Sequence, residues 1–490
     1  MEFGKIIKAV CAAEKKSKMP VYVVGGFIRD FLMQRAQKKD VDFLVVGSGL
    51  EFVRQFDAVI EKSGSLIEFP DFDTARYVVG DGEERVVVEF AGARTEKYEK
   101  NSRKPKVEAT TLEQDLARRD FTINAMAVPA SVFVGAKGPT LAGVKKQLVD
   151  PFGGQKDLEN KVLRTPLEPD RTFSDDPLRM MRAIRFACQL DFSIHPKTLE
   201  SLHKNRERIK IISAERIQEE LFKMLACPKP SISLILMFQV GLMDIILPEV
   251  SKLQGVEEIY GHQHKDNLVH TFKVVDNIAE QSDKVLLRLA GLFHDIGKPS
   301  TKKFMPKTGW TFHQHEHVGK KFVFQIGKRL KFSKSDTDYL AKLVRWHQQP
   351  IGLMDEGITD SAVRRLVVAM GDELEDLLIL GRSDITTGNP LKKEKRLKNY
   401  DRLEKKIVEV LEKDKLRAFQ SPLRGDEIML LAGLKPGPTV GRIKSAIEEA
   451  ILDGIIPNEY EAAKQHFNKI KDEHLAKAED WEKNVLVPYI

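Results

Sequence analysis

The sequence predicts a multidomain α+β protein, with an α/β domain first and helical domains after it. At 490 residues the chain is too long for one compact core, so we expect three or more domains. The first 150 residues alternate short β-branched runs, such as Val21 to Val24 and Val41 to Val46, with helical stretches. From about Asp175 onward, apolar residues recur at helical spacing and strand signals are few. A turn-rich stretch, Asp150 to Gly154, closes the α/β region.

The composition is that of an ordinary globular protein. Hydrophobic residues make up 42% of the chain and charged residues 31%, which excludes collagen-like, mucin-like and fully disordered proteins. No apolar run reaches the roughly 18 to 20 residues that cross a bilayer, and the N-terminus lacks the apolar segment of a signal peptide. The three cysteines are too sparse for a disulfide framework or a cysteine zinc site. We therefore expect a reduced, cytoplasmic protein without a membrane partner, and its net charge of +7 slightly favours polyanions.

The first candidate site begins where a short strand meets a helix. The strand signal Val21 to Val24 is followed by Gly25 and Gly26. Two glycines let the backbone pass close to a ligand, and the helix that follows offers free N–H groups to a phosphate. Arg29, one turn into this helix, can add a charge-assisted contact. On its own, the pattern is also typical of an ordinary strand-to-helix turn.

Paired carboxylates on the next strand indicate a metal site. Asp40 and Asp42 lie at the start of the strand that ends at Val46, and the period of two places both on one face. A divalent cation relieves their repulsion, and oxygen ligands at this spacing suit Mg²⁺ that carries substrate phosphates. Glu89 lies in the apolar strand Val86 to Phe90, where a charge is costly unless it serves metal or substrate. The alternative is a pair of surface aspartates at a strand edge.

A third pattern places one acid and three arginines at intervals of three residues. They are Asp176, Arg179, Arg182 and Arg185. On a helix these side chains form one slowly drifting face. Guanidinium groups can bind phosphates while the acid reads a base, but the same spacing is typical of a surface stripe of ion pairs.

A concentration of histidines indicates a second metal site. Eight of the twelve histidines lie between His262 and His347. The adjacent pair His294 and Asp295 follows an apolar run, and burying such a pair is expensive unless both residues share a metal. The candidates that complete this site are His270, His315, His347 and Asp384.

The order of these residues resembles the HD phosphohydrolase superfamily, whose ligands are a His, a His-Asp pair and a distal Asp. His315 and His347 resemble the additional histidines of its binuclear members. The resemblance implies a bound divalent metal, and imidazole ligands favour a transition metal over Mg²⁺. A purely structural domain with a degenerate site is the alternative.

Six blocks in the first half of the chain resemble the class II tRNA nucleotidyltransferases, the CCA-adding enzymes of the polymerase β superfamily. The blocks are Gly25-Gly26-x-x-Arg29-Asp30 with Asp40-x-Asp42, Arg94-x-Glu96-x-Tyr98, Arg118 to Ala125, Asp150 to Gly154, Asp175 to Phe186, and Ala214 to Leu221. They follow the family's order across residues 21 to 225. This resemblance implies a metal-dependent enzyme that adds C, C and A from CTP and ATP to the 3′ end of tRNA, without a nucleic-acid template. The HD resemblance adds a phosphohydrolase activity.

The same resemblance implies an architecture. We expect a polymerase β-like α/β nucleotidyltransferase head with the catalytic site, an all-α neck that binds the nucleotide base and tRNA, an HD domain, and a helical tail that contacts tRNA. The corresponding boundaries are 1–150, 151–255, 256–395 and 396–490. No protein partner is implied.

Individual roles also follow from the resemblance. Asp40 and Asp42 hold the Mg²⁺ that activates the tRNA 3′-hydroxyl, and Glu89 completes the catalytic acids. Arg119 and Asp120 resemble the ribose-side pair, in which the acid accepts from a sugar hydroxyl. The predicted nucleotide-binding residues are Gly25, Gly26, Arg29, Arg119, Asp120, Asp176, Arg179, Arg182 and Arg185. The stretch from Arg94 to Glu113 resembles the flexible loop that helps to switch from C to A addition.

Hydrogen bonding explains how a protein pocket can select cytosine and adenine. Both bases present an amino group beside an unprotonated ring nitrogen on their pairing edge. A carboxylate accepts only from the amino group, and an arginine donates only to the ring nitrogen. Uracil and guanine reverse this pattern. Asp176 with Arg179 can therefore accept CTP and ATP while rejecting UTP and GTP.

Several alternatives remain open from the sequence. Among enzymes they are a bacterial poly(A) polymerase, which shares the head, and a nucleotidyltransferase that adds only A or only CC. An RNA-binding protein with an inactive head, and an HD phosphohydrolase whose head recruits substrate, are the others.

Two segments of the tail region also have two interpretations. The lysine-rich helical run Lys392 to Lys415 is typical of a solvated helix face. The loop Gly433 to Arg442 can hold a tRNA phosphate or be an ordinary loop.

Overall fold

The chain folds into two compact units of different character. The computed structural model describes residues 3–35, 40–60, 64–80, 85–97, 106–134, 139–255, 258–259, 262–263, 266–354, 358–414 and 421–482. The first unit comprises residues 1–254, 283–285 and 325–333, and the second comprises 255–282, 286–324 and 334–490. A mixed α/β head followed by helical regions confirms the predicted fold class, whereas the finer division into four domains stays a prediction.

A six-stranded mixed sheet forms the base of the first unit. Its strands are β1 (Val21–Val24), β2 (Asp40–Val45), β3 (Ser65–Phe69), β4 (Thr74–Val79), β5 (Val86–Gly92) and, after a separate hairpin of β6 (Arg94–Lys97) with β7 (Lys106–Ala109), β8 (Ala127–Pro129). The strand order is β3-β4-β5-β2-β1-β8. Strands β2 and β5 run parallel, and the other neighbouring pairs run antiparallel.

Alternating burial along the strands gives the sheet one core face. Strand β5 buries every second residue, including Val88 and Phe90, and β2 likewise buries Val41 and Phe43. Helices from the start of the chain cover this face, and the ring of Phe56 lies 4.9 Å from that of Phe90. The acidic residues between these apolar ones therefore point to the opposite face of the sheet.

Helices complete the first unit. They are α1 (Phe3–Ser17), α2 (Gly26–Leu32), α3 (Gly49–Val59), α4 (Leu112–Ala117), α5 (Leu141–Lys146), α6 (Gly154–Glu159), α7 (Pro169–Asp175), α8 (Leu178–Leu190), α9 (Pro196–Asn205), α10 (Ala214–Leu225), α11 (Ser231–Gln239), α12 (Leu242–Ile246) and α13 (Pro248–Ser251). A short parallel pair joins β9 (Val162–Leu163) to β10 (Ser193–Ile194).

The second unit is mainly helical. Its helices are α14 (Asn267–Ala279), α15 (Val285–Phe293), α16 (Lys298–Thr301), α17 (His315–Leu330), α18 (Lys334–Trp346), α19 (Gln349–Gly352), α20 (Asp360–Met370), α21 (Leu374–Ser383), α22 (Pro390–Asp414), α23 (Gly425–Ala432), α24 (Pro438–Leu452) and α25 (Tyr460–Ala476), with α15 and α17 each extending partly into the first unit. Two small antiparallel pairs join β11 (Glu258–Ile259) to β12 (His262–Gln263) and β13 (Lys303–Met305) to β14 (Gly309–Thr311). None of the helices in the described part of the chain combines the length and apolarity needed to span a membrane.

Candidate active site and metal centre

A cavity of about 550 Å³ in the first unit collects most of the predicted site residues. Those that line it are Gly25, Gly26, Arg29, Asp42, Glu89, Arg119, Asp120, Asp176, Arg179, Arg182 and Arg185. Asp40 is exposed and lies two residues before Asp42 on the same face of β2. Residues from five separate stretches of the chain thus meet at the polar face of the sheet.

The turn between β1 and α2 brings backbone close to the acids. Gly25 has φ +72°, a conformation that residues with a side chain rarely adopt, and it stands immediately before α2. A Cβ atom at this position would lie 3.5 Å from Asp42 Oδ2 and 3.4 Å from Arg119 Nη1. Glycine therefore leaves room beside the carboxylate where a triphosphate can approach.

The acids of β2 and β5 form a crowded group. Asp42 pairs in register with Glu89 of the neighbouring parallel strand. The Asp42 carboxylate is accessible through the cavity, but the surrounding protein limits its hydration and, together with the charge of Glu89, raises its pKa to about 6. A divalent cation bound there would relieve this repulsion, so the donor set fits the predicted Mg²⁺.

Glu89 is not a buried charge, contrary to the expectation from its apolar neighbours. Its side chain is 38% exposed, and Arg76 Nη2 lies 3.2 Å from Glu89 Oε2. The apolar neighbours in the strand face the core, whereas Glu89 faces the cavity, so the charge remains hydrated and partly neutralised. Its place beside Asp42 rather than its burial supports the prediction that it is a catalytic acid.

Asp120 binds protein groups rather than standing free for a ribose. Its Oδ2 accepts from Arg182 Nε at 2.9 Å and Nη2 at 2.7 Å, and its Oδ1 accepts from the amide of Asn124 at 3.0 Å. Burial alone would raise the pKa of Asp120, but the Arg182 charge and these hydrogen bonds outweigh it and lower the pKa to about 2. Asp120 therefore orients Arg182 at the cavity wall, and its role as a ribose acceptor stays a prediction.

Asp176 does not lie on the same helix as the three arginines, contrary to the single helical face that we expected. The residue has extended backbone between α7 and α8, because the following Pro177 disfavours helical geometry for the residue before it. Its Oδ1 accepts from the N–H of Leu178, and its Oδ2 accepts from Arg216 at 3.1 Å. The helix break brings this carboxylate into the cavity wall together with Arg179.

Arg216 and Asp115 are functional candidates that the sequence analysis did not assign. Arg216 lines the cavity and holds Asp176 from a distance of 40 residues in sequence. Asp115 is fully buried and accepts from both Arg118 and Arg119, which line the cavity. The i,i+3 and i,i+4 spacing of Asp115 to these arginines is the signal that would have identified it.

The predicted flexible loop, Arg94 to Glu113, contains two short strands that pair as a β-hairpin. Strands β6 and β7 pair from Arg94 with Ala109 to Lys97 with Lys106, while Tyr98 lies outside the described residues. The N–H of Arg94 donates to Asp115 at 3.3 Å. The base of the hairpin is therefore tied to the carboxylate that holds Arg119.

In the second unit, six predicted ligands form two adjoining groups. His270, His294 and Asp384 make one group, and Asp295, His315 and His347 make the other, with ligand atoms within 4.8 Å of one another in each. Asp295 lies between them. Its Oδ2 is 3.1 Å from His294 Nε2, and its Oδ1 is 3.4 Å from His315 Nε2.

The histidines are oriented as metal ligands. The Nδ1 atoms of His294, His315 and His347 donate to backbone carbonyls at 2.7 to 2.8 Å, which directs each Nε2 toward the centre. The Nε2 of His294 is buried beside Asp295 Oδ2, and the Nε2 atoms of His315 and His347 face each other at 3.2 Å. These inward-facing nitrogens, with the carboxylates of Asp295 and Asp384, would suit divalent metals as ligands.

The electrostatics of the centre are strongly perturbed. Burial and the neighbouring His294 lower the pKa of His347 to about 4, so its imidazole is neutral at physiological pH. Burial opposes protonation of His294 as well, but Asp295 and Asp384 outweigh it and raise the pKa of His294 to about 10. A metal would take the place of that proton between the carboxylates.

The glycine-rich loop of the tail is occupied by a carboxylate of the chain itself. Glu482 is buried and accepts from the N–H of Thr439 at 2.7 Å and from its hydroxyl at 2.8 Å, at the start of α24. A Cβ atom at Gly437 would lie 2.6 Å from Glu482 Oε1. This arrangement favours the ordinary-loop interpretation over a phosphate site.

Three family models match the chain in order. They are the poly A polymerase head domain at residues 21–164, the probable RNA and SrmB-binding site of polymerase A at 191–253, and the HD domain at 267–387.

Curated relatives carry several related names. An A-adding tRNA nucleotidyltransferase of Deinococcus radiodurans is 33% identical over 72% of this chain and 78% of the relative. A CC-adding tRNA nucleotidyltransferase of Thermus thermophilus is 31% identical over 90% of this chain and 92% of the relative. A multifunctional CCA protein of Pseudomonas fluorescens is 33% identical over 66% and 74%.

Solved structures agree in fold. The CCA-adding enzyme of Bacillus stearothermophilus in complex with CTP superposes with a TM-score of 0.64 at 20% identity, over 98% of this chain and 100% of that chain. A CCA-adding enzyme of Thermotoga maritima in complex with tRNA gives a TM-score of 0.56 at 21% identity, over 97% and 95%. With the sequence relatives, this fold and the convergent cavity show that the chain belongs to the class II tRNA nucleotidyltransferase family of the polymerase β superfamily, with an HD domain in its second half.

Proposed function

We propose that this enzyme adds C, C and A in turn to the 3′ end of tRNA, using CTP and ATP. The observation that carries this proposal is the meeting of the acidic group around Asp42 with Asp176 and Arg179 in one cavity. The first can hold the metal and triphosphate, and the second offers the hydrogen-bonding pair that suits cytosine and adenine but not uracil or guanine.

The residues of the cavity divide the chemistry among them. Asp42 with Asp40 would hold Mg²⁺, which when bound supplies charge to activate the 3′-hydroxyl and to neutralise pyrophosphate as it leaves. Arg119, fixed by Asp115, and Arg182, fixed by Asp120, present guanidinium groups to the phosphates and sugar. Arg216 holds the Asp176 carboxylate in place, so that it is oriented before the base arrives.

The products made from separate nucleotides test this proposal and distinguish its alternatives. The enzyme is incubated with tRNA lacking CCA, tRNA ending in CC, and an unrelated RNA, each with CTP, ATP, both or UTP, and the 3′ ends are sequenced. Complete CCA on the first tRNA supports the proposal. CC alone or A alone identifies a partial enzyme, as in the Thermus and Deinococcus relatives, and long adenosine tails on the unrelated RNA identify a poly(A) polymerase.

A second activity is proposed for the HD centre. Two ligand groups that adjoin at Asp295 would suit a binuclear phosphohydrolase, in which the metals would hold a phosphoryl group and a bound water. We expect a transition metal such as Mn²⁺, Co²⁺ or Ni²⁺, because the donor set is mainly imidazole.

Ligand variants separate the two activities. His294→Ala and Asp295→Ala should abolish hydrolysis of 2′,3′-cyclic phosphates and 2′-phosphates and lower the bound metal, while leaving nucleotide addition within about twofold. Metal analysis and phosphatase assays check this, with His317→Ala, an exposed histidine two residues after His315, as the matched control. A parent protein without bound transition metal or hydrolysis under any added metal would contradict the second activity alone.

Partners and location follow the same reasoning. We propose tRNA, CTP and ATP as the binding partners and the cytoplasm as the location. Within the part of the chain that the structure describes, Cys11, Cys188 and Cys227 form no disulfide, which suits a reducing compartment.

A further inference from the structure

We propose that two basic segments beside the HD centre form a docking surface for an RNA backbone, so that this centre acts on phosphates at RNA ends in preference to free mononucleotides. The surface, called the basic rim below, is formed by Lys302, Lys303 and Lys307 around the β13–β14 hairpin and by Lys392, Lys393 and Arg396 at the start of α22. The inference rests on the phosphohydrolase activity proposed above and names its substrate class.

The basic residues of α22 are concentrated at its N-terminal end, where the helix dipole disfavours positive charge. Residues 392 to 398 contain five basic residues and one acid, whereas residues 401 to 414 contain acids and bases in similar number. Lys392 and Lys393 stand in the first turn, which has no acidic residue, and cations there are unfavourable because the N-terminal end of a helix is positive. Lys392, Lys393 and Arg396 are exposed, so no burial explains their placement. An anion bound at this end of α22 would explain why the basic residues are placed there.

The β13–β14 hairpin carries a second group of cations. From Lys298 to Lys321 the chain has six lysines and a single acid, Glu316. Lys303 and Lys307 are exposed, and the ammonium of Lys302 lies 4.3 Å from the centre of the Trp310 ring. Cations interleaved with an aromatic side chain are typical of surfaces that track single-stranded nucleic acid.

Short connections join both segments to the metal ligands. Strand β14 leads into Phe312, whose carbonyl accepts from His315 Nδ1 at 2.8 Å and whose ring lies 5.6 Å from Lys298 Nζ. Lys298 Nζ in turn lies 2.6 Å from Asp295 Oδ2. On the other side, α22 begins six residues after Asp384, and Thr386 in that connection lies 2.7 Å from His270 Nδ1.

A free mononucleotide and an RNA chain differ in the number of phosphates that they offer to the basic rim. A mononucleotide has one phosphate, which the metals themselves can hold, and it gives the rim nothing to bind. An RNA chain places a phosphate at every nucleotide, so cations on the two segments connected to the centre add contacts only for a polynucleotide. The Michaelis constant should therefore depend on chain length.

A comparison of two substrates with the same reactive end tests the rim. Hydrolysis is measured for adenosine 2′,3′-cyclic phosphate and for a decaribonucleotide ending in the same cyclic phosphate, at 0.05 to 0.4 M salt. The rim variant is K392E/K393E/R396E. The control K8E/K15E/K16E makes the same change in net charge at exposed lysines of α1 in the other unit.

We expect the full-length parent to have a KM for the decaribonucleotide at least tenfold below that for the mononucleotide. In the rim variant this ratio should approach one, and the slope of log KM against log salt for the decaribonucleotide should fall by about 2, because each lost single-strand phosphate contact removes about 0.7. The control should keep the parent ratio. Equal KM values in the parent, or an unchanged ratio in the rim variant, would overturn the proposal while the phosphohydrolase activity stands.

Two further readouts cover the remaining outcomes. A rim variant that raises the KM for tRNA in nucleotide addition, but not the KM for hydrolysis, would assign the rim to the transferase and overturn the proposal. If the parent hydrolyses neither substrate, photocrosslinking of a 4-thiouridine decaribonucleotide decides. Crosslinks within residues 302–311 or 392–398 that the rim variant loses would support RNA docking, and their absence would overturn it.

Discussion

The Asp115→Asn variant tests whether this buried carboxylate positions the nucleotide-binding arginines. Asp115 accepts from Arg118 Nη2 at 2.6 Å and from Arg119 Nη2 at 3.1 Å, and it also accepts from the N–H of Arg94. Burial alone would raise the pKa of Asp115, but the two guanidinium charges outweigh it and keep the pKa below its ordinary value. The carboxylate is therefore ionised at the pH of the reaction.

The magnitude follows from the contacts that asparagine cannot replace. An amide is neutral and retains one acceptor oxygen, so both arginines lose their charged partner and one of them also loses its acceptor. A hydrogen bond to a charged group is worth about 1.5–3 kcal/mol. If the loss falls on Arg119 in the cavity, KM for CTP and ATP should rise about 10- to 150-fold. If the lost interaction also lowers the free energy of unfolding, by about 2 kcal/mol, the midpoint of thermal unfolding should fall by about 4–8 °C.

Steady-state kinetics and thermal unfolding of the same preparations measure both effects. Glu113→Gln is the matched control, because it removes one carboxylate from the exposed side of the same helix, α4. Asp115→Asn with a KM and a midpoint equal to those of Glu113→Gln would refute the positioning role. A fall in stability with unchanged KM would confine Asp115 to a structural one.

Three other predictions follow from the head. Asp42→Ala should abolish nucleotide addition with Mg²⁺ while leaving the circular dichroism spectrum unchanged, and extension of tRNA at near the parent rate would show that the acids are misassigned. Asp176→Ala should lower the preference for CTP over UTP by about tenfold or more, since a well-formed pair of hydrogen bonds is worth about 1–3 kcal/mol of discrimination. Competitive incorporation of the two nucleotides measures this preference. An unchanged preference would show that Asp176 does not select the base. The third concerns acid stability, because the pKa of Asp120 is about 2 in the folded chain against an ordinary 3.8. The resulting stabilisation of about 2 kcal/mol is complete well above pH 3.8 and is lost as pH falls toward 2. Between pH 6 and pH 3, the free energy of unfolding measured in urea should therefore fall by about 1 kcal/mol more for the parent than for Asp120→Asn. Equal losses in the two proteins would contradict this prediction.

Local patterns in the sequence were sufficient to predict several features of the site. The Gly25-Gly26 turn was predictable because a strand, two glycines and a helix are adjacent in the chain. The common face of Asp40 and Asp42 follows from the period of a strand, which the alternating burial of β2 bears out. The residues of the HD centre were predictable because few other arrangements compensate for burying histidine beside aspartate.

Two predictions from local sequence patterns were wrong, one because a proline interrupts the helix and one because the neighbouring strand and cavity could not be foreseen. The three-residue spacing of Asp176 and the arginines suggested one helix, but Pro177 ends the helical geometry before α8 begins. Glu89 looked like a buried charge from its apolar neighbours, yet its face of the sheet lines the cavity and Arg76 lies beside it.

The fold class, the family resemblance and most of the candidate ligands were predictable from the sequence alone, because each depends on residues close together in the chain. The partners of those side chains, in contrast, depend on the folded arrangement of the whole unit. Arg182 holds Asp120 across 62 residues, and Arg216 holds Asp176 across 40. Such pairs, and the burial that shifts their pKa values, depend on how distant segments pack. Periodicity and spacing describe one segment at a time, so they carry no information about which segments meet.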